Sequence, residues 1–513
     1  MSVDWIPVGD ATGAQPRVDN RWEYDMGDGQ PLIPPSAVDF DLSGVAAGWD
    51  RTMSDLEAGM WRMEEAQPRL RSPIVAVDLL DESPDWERLV RAHEWASHIV
   101  PRIRMRAVEP VFGLGNPVWS VDPEFDLDYH LRRIRLPEPA TFDHALRICR
   151  HLACEPFDKA RPPWTAMLIE GLPDGRAVYV VKTHHSMTDG MGGIGLMTLL
   201  HSRRREPTPD KPDRLPAPPE NLNTVTALGE EVATQLRRAP GRIRGLVGGA
   251  VRTAAAAVTD PLGTAGEVFG YANSVRRIVT PPPEEGSPLL RNRGMGRWFG
   301  VLEVGLPEFK VAARAAGGSL NDAYVAALLG GFARYQSALG QAPSPVPMGM
   351  PVNLRTASDP SGGNRFAAVR FVGPATESDP TTRIAKVRTI VLGLREEPAI
   401  DALDVAAPVL SRLPTWLLAT WYLSQSTALD LQASNVAGVP VPVYLAGARI
   451  ERMFPFGPAP GCAVMATLVS HAGVCCIGVN LDTAAVTQPK LFMNCLQDGL
   501  DEIIALGEPG ETR

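Results

Sequence analysis

The segment SRRREPTPDKPDRLPAPPE at 202–220 crowds prolines and charges together, and no long helix or central strand can run through it. Proline fixes φ and removes a backbone donor, so regular structure has to stop before the segment and begin again after it. A second break, PPPEEGSP, follows at 281–288. At roughly 150 residues per domain, 513 residues are also too many for one small core. The expected organisation is a loosely ordered extension at 1–45, a first domain at 46–201, a Pro-rich linker and helical insert at 202–287, and a second domain at 288–513.

Composition narrows the function classes. With 50 Lys and Arg against 59 Asp and Glu, the net charge is −9, which argues against general nucleic-acid binding. Hydrophobic residues make up 44%, enough for real cores. Mean hydropathy is −0.07, and no uninterrupted apolar run reaches the ~18 residues of a spanning helix. The opening MSVDWIPVGDATGAQPRVDN has no basic stretch followed by an apolar one, so no secretory signal is expected. Six cysteines with no CxxC pair leave a thiolate zinc site or redox dithiol unsupported, and no metal is expected.

Hydrophobic periodicity gives helices and strands in both blocks. Residues 52–65 read as a helix with Leu56, Met60 and Met63 on one face. SPIVAVDLL (72–80) reads as a strand, and 85–99 and 142–154 as helices. TAMLIEG (165–171) and RAVYVVKTH (176–184) flank Leu172-Pro173-Asp174-Gly175 and predict a β-hairpin, with a helix at 191–201 to follow. The Ala-, Gly- and Arg-rich stretch at 223–279 predicts helix. In the second block, 301–306 and 345–355 read as strands and 319–339 as a helix. CAVMATLVS and GVCCIGVNLD predict another hairpin, closed by a helix at 489–506.

The sharpest chemical feature is Lys182-Thr183-His184-His185-Ser186-Met187-Thr188-Asp189-Gly190, at the end of an apolar strand. A strand end is a rigid support for a side chain. Imidazole accepts and returns protons near neutral pH. Adjacent strand residues point to opposite faces, so one histidine can face a cleft while the other packs inward. Asp189 can brace the loop, and Gly190 admits φ > 0. Taken alone, a strand histidine is more often a packed residue and Asp-Gly an ordinary turn.

HHxxxDG is the signature of the CoA-dependent acyltransferase superfamily, and the surrounding chain resembles one family within it, the bacterial wax ester synthase/acyl-CoA:diacylglycerol acyltransferases. The resemblance runs through Met53-Ser54-Asp55-Leu56-Glu57, Val100-Pro101-Arg102-Ile103-Arg104, Pro117-Val118-Trp119, Phe125 to His130 and Glu155 to Trp164. In the second block it includes Asn321-Asp322, Pro351 to Arg355, Gly363-Asn364 and Ser434-Asn435-Val436. It covers roughly 52–200 and 288–506. Glu57, Pro163 and Ala437 depart from that family's usual residues, and 1–45 has no counterpart.

The resemblance implies an α/β (α+β) fold of the two-domain chloramphenicol-acetyltransferase-like kind: mixed sheets, flanking helices, and a helical insert between the halves. It also implies transfer of a fatty acyl group from acyl-CoA, a co-substrate and not a bound cofactor, to diacylglycerol or a long-chain alcohol. His185 would be the general base, His184 supporting, and Asp189 the loop brace. Gly190, Asn321, Asp322 and Arg355 would be structural at the site, with Asn321 one candidate oxyanion donor and helix capping its plainer role. The expected location is cytoplasmic, with peripheral contact to membrane or lipid inclusions. Two segments are candidates for that contact: 237–252 with its arginines, whose plainer reading is a solvated insert, and 406–424 with Trp416 and Trp421, whose plainer reading is a core helix lining the acyl cleft. Two other functions compete: a carrier-protein-dependent acyltransferase or condensation-type enzyme, and a catalytically silent lipid-surface protein.

Overall fold

The computed structural model describes residues 50–187, 199–208, 214–237, 284–353, 366–395, 407, 410 and 412–508. The segment 1–45, the arginine-rich stretch beyond Arg237, and Asp189, Gly190, Arg355, Gly363 and Asn364 lie outside these residues.

The first block contributes helices α1 (Asp55–Ala66), α2 (Trp86–Ile99) and α3 (Phe142–Cys154). Its strands are β1 (Pro73–Leu80), β2 (Met105–Val108), β3 (Val118–Val121), β4 (Leu131–Arg135), β5 (Trp164–Glu170), β6 (Ala177–His184) and β7 (His201–Ser202). The second block contributes β8 (Arg297–Gly305), α4 (Leu306–Ala315), α5 (Leu320–Ala338), β9 (Val346–Asn353), β10 (Phe366–Gly373), α6 (Pro380–Arg395) and α7 (Thr415–Thr427). β11 (Leu431–Val436), β12 (Tyr444–Leu445), β13 (Ala448–Phe456), β14 (Val464–His471), β15 (Val474–Asp482) and α8 (Pro489–Ile504) complete it.

Beside an antiparallel β2–β3 ribbon, the described strands form two mixed sheets. One has the order β4-β5-β6-β1-β13-β12-β7, the other β10-β9-β11-β14-β15-β8. The β5–β6 and β14–β15 hairpins form where alternation and turn residues place them. The linear split of the chain does not extend to the sheets, because β12 and β13 from the second block join the first sheet. β13 runs antiparallel to β1, with Asp78 opposite Met453 and Val75 opposite Phe456. Where β13 crosses β15, a Cβ at Gly478 would overlap the carbonyl oxygen of Pro455, so only glycine permits that approach. One apolar cluster joins Val75, Val77, Val178 and Val180 of the first sheet to Phe299 and Cys476 of the second. Within it the Phe299 and Phe456 rings stack at 4.0 Å.

Three local expectations need correction. The buried face of α1 is Glu57, Ala58, Trp61, Met63 and Glu64, whereas Leu56 and Met60 are only partly covered. Of the expected stripe only Met63 is buried, because two buried carboxylates, Glu57 and Glu64, lie on the true one. Strand β8 ends at Gly305, because Leu306-Pro307 begins α4 with proline in its first turn, where no N–H is needed. His201 is a strand residue, paired with Leu445. The insert is helical over 224–237 and packs on the first block: Ala227 meets Val108 and Val118, and Glu231 accepts the Asn116 N–H.

Candidate active site

β6, an interior strand of its sheet, ends at His184, and His185 follows in the turn. His184, its last residue, stands opposite Pro73, and its N–H donates to the Pro163 carbonyl at 2.9 Å. The His185 N–H donates to Ser72 at 3.0 Å, and the Met187 N–H closes a turn onto the His184 carbonyl at 2.9 Å. Backbone bonds to two other segments therefore fix the turn.

The two rings differ in surroundings. His184 is 0% exposed, whereas His185 is half-buried. The Nδ1 of His184 accepts the Ser186 N–H at 3.1 Å and lies 2.7 Å from the Ser186 Oγ. Its Nε2 faces Glu64 Oε2 at 3.3 Å. The Trp61 and Phe157 rings meet it edge-on at 5.1 and 5.7 Å.

The wall around His184 comes from the segment 155–164. Lys182 is buried, donates to the Glu155 carbonyl at 2.6 Å and sits 4.1 Å from the Phe157 ring centroid. Burial pulls its ammonium down to about 8. Lys159 lies 4.8 Å over Trp61 and pairs with Glu65 at 3.1 Å. Burial pushes the Glu64 carboxyl up, but His184, Lys159 and Arg71 together outweigh it and hold Glu64 below the usual carboxylate range. Further out, Trp164 donates to the Ile103 carbonyl at 2.7 Å, and His130 stacks on Trp164 at 4.6 Å. Buried Arg102 lies 4.1 Å over Trp119. Met53, Trp119 and Trp164, scattered along the chain, thus share one apolar cluster with Met187 of the histidine turn, with Ile103, Phe125 and Leu127 packed against it.

The second block's candidates make other contacts. Asp322 completes a capping box with Ser319 at the start of α5 and pairs with Arg388 at 3.1 Å. Asn321 is 1% exposed; its Nδ2 lies 3.7 Å from the Met350 Sδ, and its Oδ1 has no hydrogen-bond partner among the described residues. Periodicity missed Glu64, Trp61, Phe157 and Lys182. The available signal was the spacing Glu57, Trp61, Glu64, which puts one aromatic ring and two carboxylates on a single helix face.

A second buried polar group lies farther along the same sheet. Asp78 is opposite Tyr179 on β6, and its Oδ2 lies 3.9 Å from His201 Nε2. The Tyr179 hydroxyl meets His93 Nε2 at 2.5 Å, and His93 Nδ1 donates to the Leu89 carbonyl at 2.8 Å. Among the described residues, no group of three or more His, Cys, Asp or Glu side chains is placed to hold a metal ion.

Two mixed sheets joined by a crossing strand, with a histidine pair at the end of β6, define a chloramphenicol-acetyltransferase-like acyltransferase fold. Among solved structures, the wax ester synthase/diacylglycerol acyltransferase of Marinobacter aquaeolei VT8 superposes with a TM-score of 0.60 at 18% identity, over 89% of this chain and 100% of that one. The first condensation domain of the calcium-dependent antibiotic synthetase shares the fold with a TM-score of 0.54 at 14% identity, over 89% of this chain and 96% of that one. The family models for the wax ester synthase/diacylglycerol acyltransferase catalytic domain and the matching C-terminal domain fit residues 48–324 and 362–504. A Mycobacterium tuberculosis H37Rv protein provisionally named a diacylglycerol O-acyltransferase is 40% identical over 442 residues, 86% of this chain and 89% of its own. Another from that strain, with the same provisional name, is 29% identical over 79% of this chain and 88% of its own. The chain belongs to the wax ester synthase/diacylglycerol acyltransferase family and is an acyl-CoA-dependent O-acyltransferase.

Proposed function

We propose that His185 is the general base by which this enzyme moves a fatty acyl group from acyl-CoA to the hydroxyl of diacylglycerol or a long-chain alcohol. The observation that carries the reading is the contrast within the pair: a half-open His185 on a backbone-fixed turn, beside a sealed His184. His185 accepts the hydroxyl proton as the acceptor oxygen attacks the thioester carbonyl. The tetrahedral intermediate collapses, the C–S bond breaks, and the CoA sulfur takes the proton back from His185. No acyl-enzyme forms. In this reading Asp189 and Gly190 shape the loop, Arg355 is structural, and Asn321 or a backbone N–H faces the oxyanion.

The test feeds labelled oleoyl-CoA with diacylglycerol or with hexadecanol and follows neutral-lipid product. His185→Ala should lower turnover by about 10²–10⁴ while acyl-CoA still binds. Full turnover in His185→Ala would sink the assignment. Product formed only from an acylated carrier protein would favour the condensation-type reading.

The acceptor's chemistry also implies peripheral contact with lipid surfaces. Among the described residues, no helix is long and apolar enough to cross a membrane. One side of α7 packs Ala419, Leu418, Tyr422 and Leu423 on Met63 and Leu70, while Trp416 is 66% and Leu417 41% exposed. An outward Trp–Leu pair suits shallow insertion at a headgroup boundary. Trp416→Ser should weaken flotation with vesicles containing diacylglycerol; unchanged flotation would remove α7 from consideration.

A further inference from the structure

We infer that Glu64 is a positioning residue for acyl transfer: its carboxylate holds the Nε2–H of His184, which leaves Nδ1 to accept from Ser186 and fixes the turn that presents His185. The inference rests on the reading of His185 as the base.

Four observations carry it. First, Nδ1 accepts the Ser186 backbone N–H at 3.1 Å, so in the neutral ring the proton belongs on Nε2. Second, what faces Nε2 is a carboxylate, at 3.3 Å. That separation lies just beyond the usual hydrogen-bond range, so the pairing is electrostatic in the main. Third, Glu64 is 7% and His184 0% exposed, so water does not compete for either group. Fourth, the edges of Trp61 and Phe157 close the remaining sides of the ring. A carboxylate buried this far costs stability unless it is paired. Lys159 and Arg71 help to keep it charged.

The consequence is geometric. If the carboxylate is lost, the ring can take the other tautomer, Nδ1 then carries a proton, and it opposes the Ser186 N–H instead of accepting it. The turn between His184 and Met187 must then relax, and it carries His185. A displacement of about 1 Å at a reacting group can cost about a hundredfold in rate.

The experiment compares Glu64→Leu, Glu64→Gln and His185→Ala in the full chain, with oleoyl-CoA and diacylglycerol as substrates. Glu64→Leu should lower kcat by about tenfold to a hundredfold, with KM for oleoyl-CoA within about twofold. Glu64→Gln retains a carbonyl acceptor and should recover part of that loss. Nitrogen-15 spectra should show His184 as the Nε2–H tautomer in the parent and a mixture in Glu64→Leu, a readout that general loosening does not produce. Wild-type kcat in both Glu64 variants, or an Nδ1–H tautomer in the parent, overturns the inference. If Glu64→Leu does not fold, Glu64→Gln and the parent spectrum still decide. If His185→Ala keeps its turnover while the tautomer is as expected, the base assignment fails and the Glu64–His184 pairing stands.

Discussion

Glu64–His184, between α1 and the first sheet, and Asp78–His201, within that sheet, are both buried carboxylate–imidazole pairs, yet one holds a charge and the other does not. All four side chains are at most 7% exposed, and the separations are 3.3 and 3.9 Å. What differs is the company. The His184 contact and the charges of Lys159 and Arg71 together outweigh burial, and Glu64 stays below the usual carboxylate range. Around Asp78 burial acts alone and pushes the carboxyl up to about 8. Burial, with His471 adding to it, pulls His201 down to about 3. At neutral pH the second pair is therefore two neutral groups. A buried carboxylate beside an imidazole stays ionised when nearby charge sustains it, and proximity alone is not enough. The chain supplies that charge beside the histidine turn and withholds it around Asp78.

Asp78→Asn should give the largest effect. The folded pKa of Asp78 lies above its unfolded value, so the folded form keeps a proton that the unfolded chain releases. The resulting cost is absent below about 3.8, grows as pH rises and is complete above about 8. At about 1.36 kcal/mol per pH unit this sets a ceiling near 6 kcal/mol. His201 has the opposite sign: its folded pKa is depressed, so its stability is intact above about 6.5 and is lost as pH falls toward about 3. The two slopes offset one another between about 4 and 6.5, and only the Asp78 slope remains from about 6.5 to 8. Thermal melts at pH 6, 7 and 8 should show Asp78→Asn more stable than the parent, by a margin that widens with pH. A margin that narrows as pH rises would mean that Asp78 is ionised in the fold.

The sharper functional contrast sets Glu64→Leu against Asp78→Asn. The first should lose about tenfold or more in kcat, and the second should stay within about twofold of the parent. If Asp78→Asn falls as far as Glu64→Leu, the site extends along β1 and the two pairs are not separate.

Much of this architecture was readable in advance, for reasons that differ by element. The β5–β6 hairpin announces itself through period-two apolar runs around Pro173-Asp174-Gly175, and α5 through the Ser319–Asp322 capping box before an apolar run. The histidine turn was legible because two imidazoles at a strand end are unusual. The docking of β13 beside β1 was not, since it pairs Asp78 with Met453 and local pattern carries no information about partners so distant. Glu64 was missed because helix periodicity scores apolar residues, and the buried stripe of α1 gains its partner, His184, only once the sheet has formed. Asp78 was visible as one carboxylate in the run SPIVAVDLL, but its state depends on His201, which reaches it through the edge strand β7.

A smaller effect follows from removing one of the cations that sustain the first pair. Glu64 has a depressed folded pKa, so its stability is present above the usual carboxylate value and is lost as pH falls through the folded one. Lys159→Met removes one contribution and should move the onset of acid unfolding upward in pH. The Lys159 side chain is 33% exposed, so the change should stay under about 1 kcal/mol. The same substitution should leave the widening margin between the parent and Asp78→Asn untouched, because Lys159 acts on Glu64. A shift of that margin would couple the two pairs.

Ser186→Ala should have the smallest effect, and it separates the two ends of the His184 ring. The Ser186 Oγ lies 2.7 Å from Nδ1, but the Ser186 backbone N–H also reaches Nδ1, at 3.1 Å, and survives the substitution. Nδ1 therefore keeps a donor, and the cost should be that of one hydrogen bond, about 1 kcal/mol in stability. Turnover should fall by less than about threefold, because the tautomer is set from the Nε2 side by Glu64. Combining Ser186→Ala with Glu64→Leu should give a loss close to that of Glu64→Leu alone, since the turn has already relaxed once the carboxylate is gone. If Ser186→Ala alone matches Glu64→Leu in kcat, the hydroxyl fixes the ring, and the distinction between a charged carboxylate that positions the turn and a neutral pair that only fills the sheet loses its functional half.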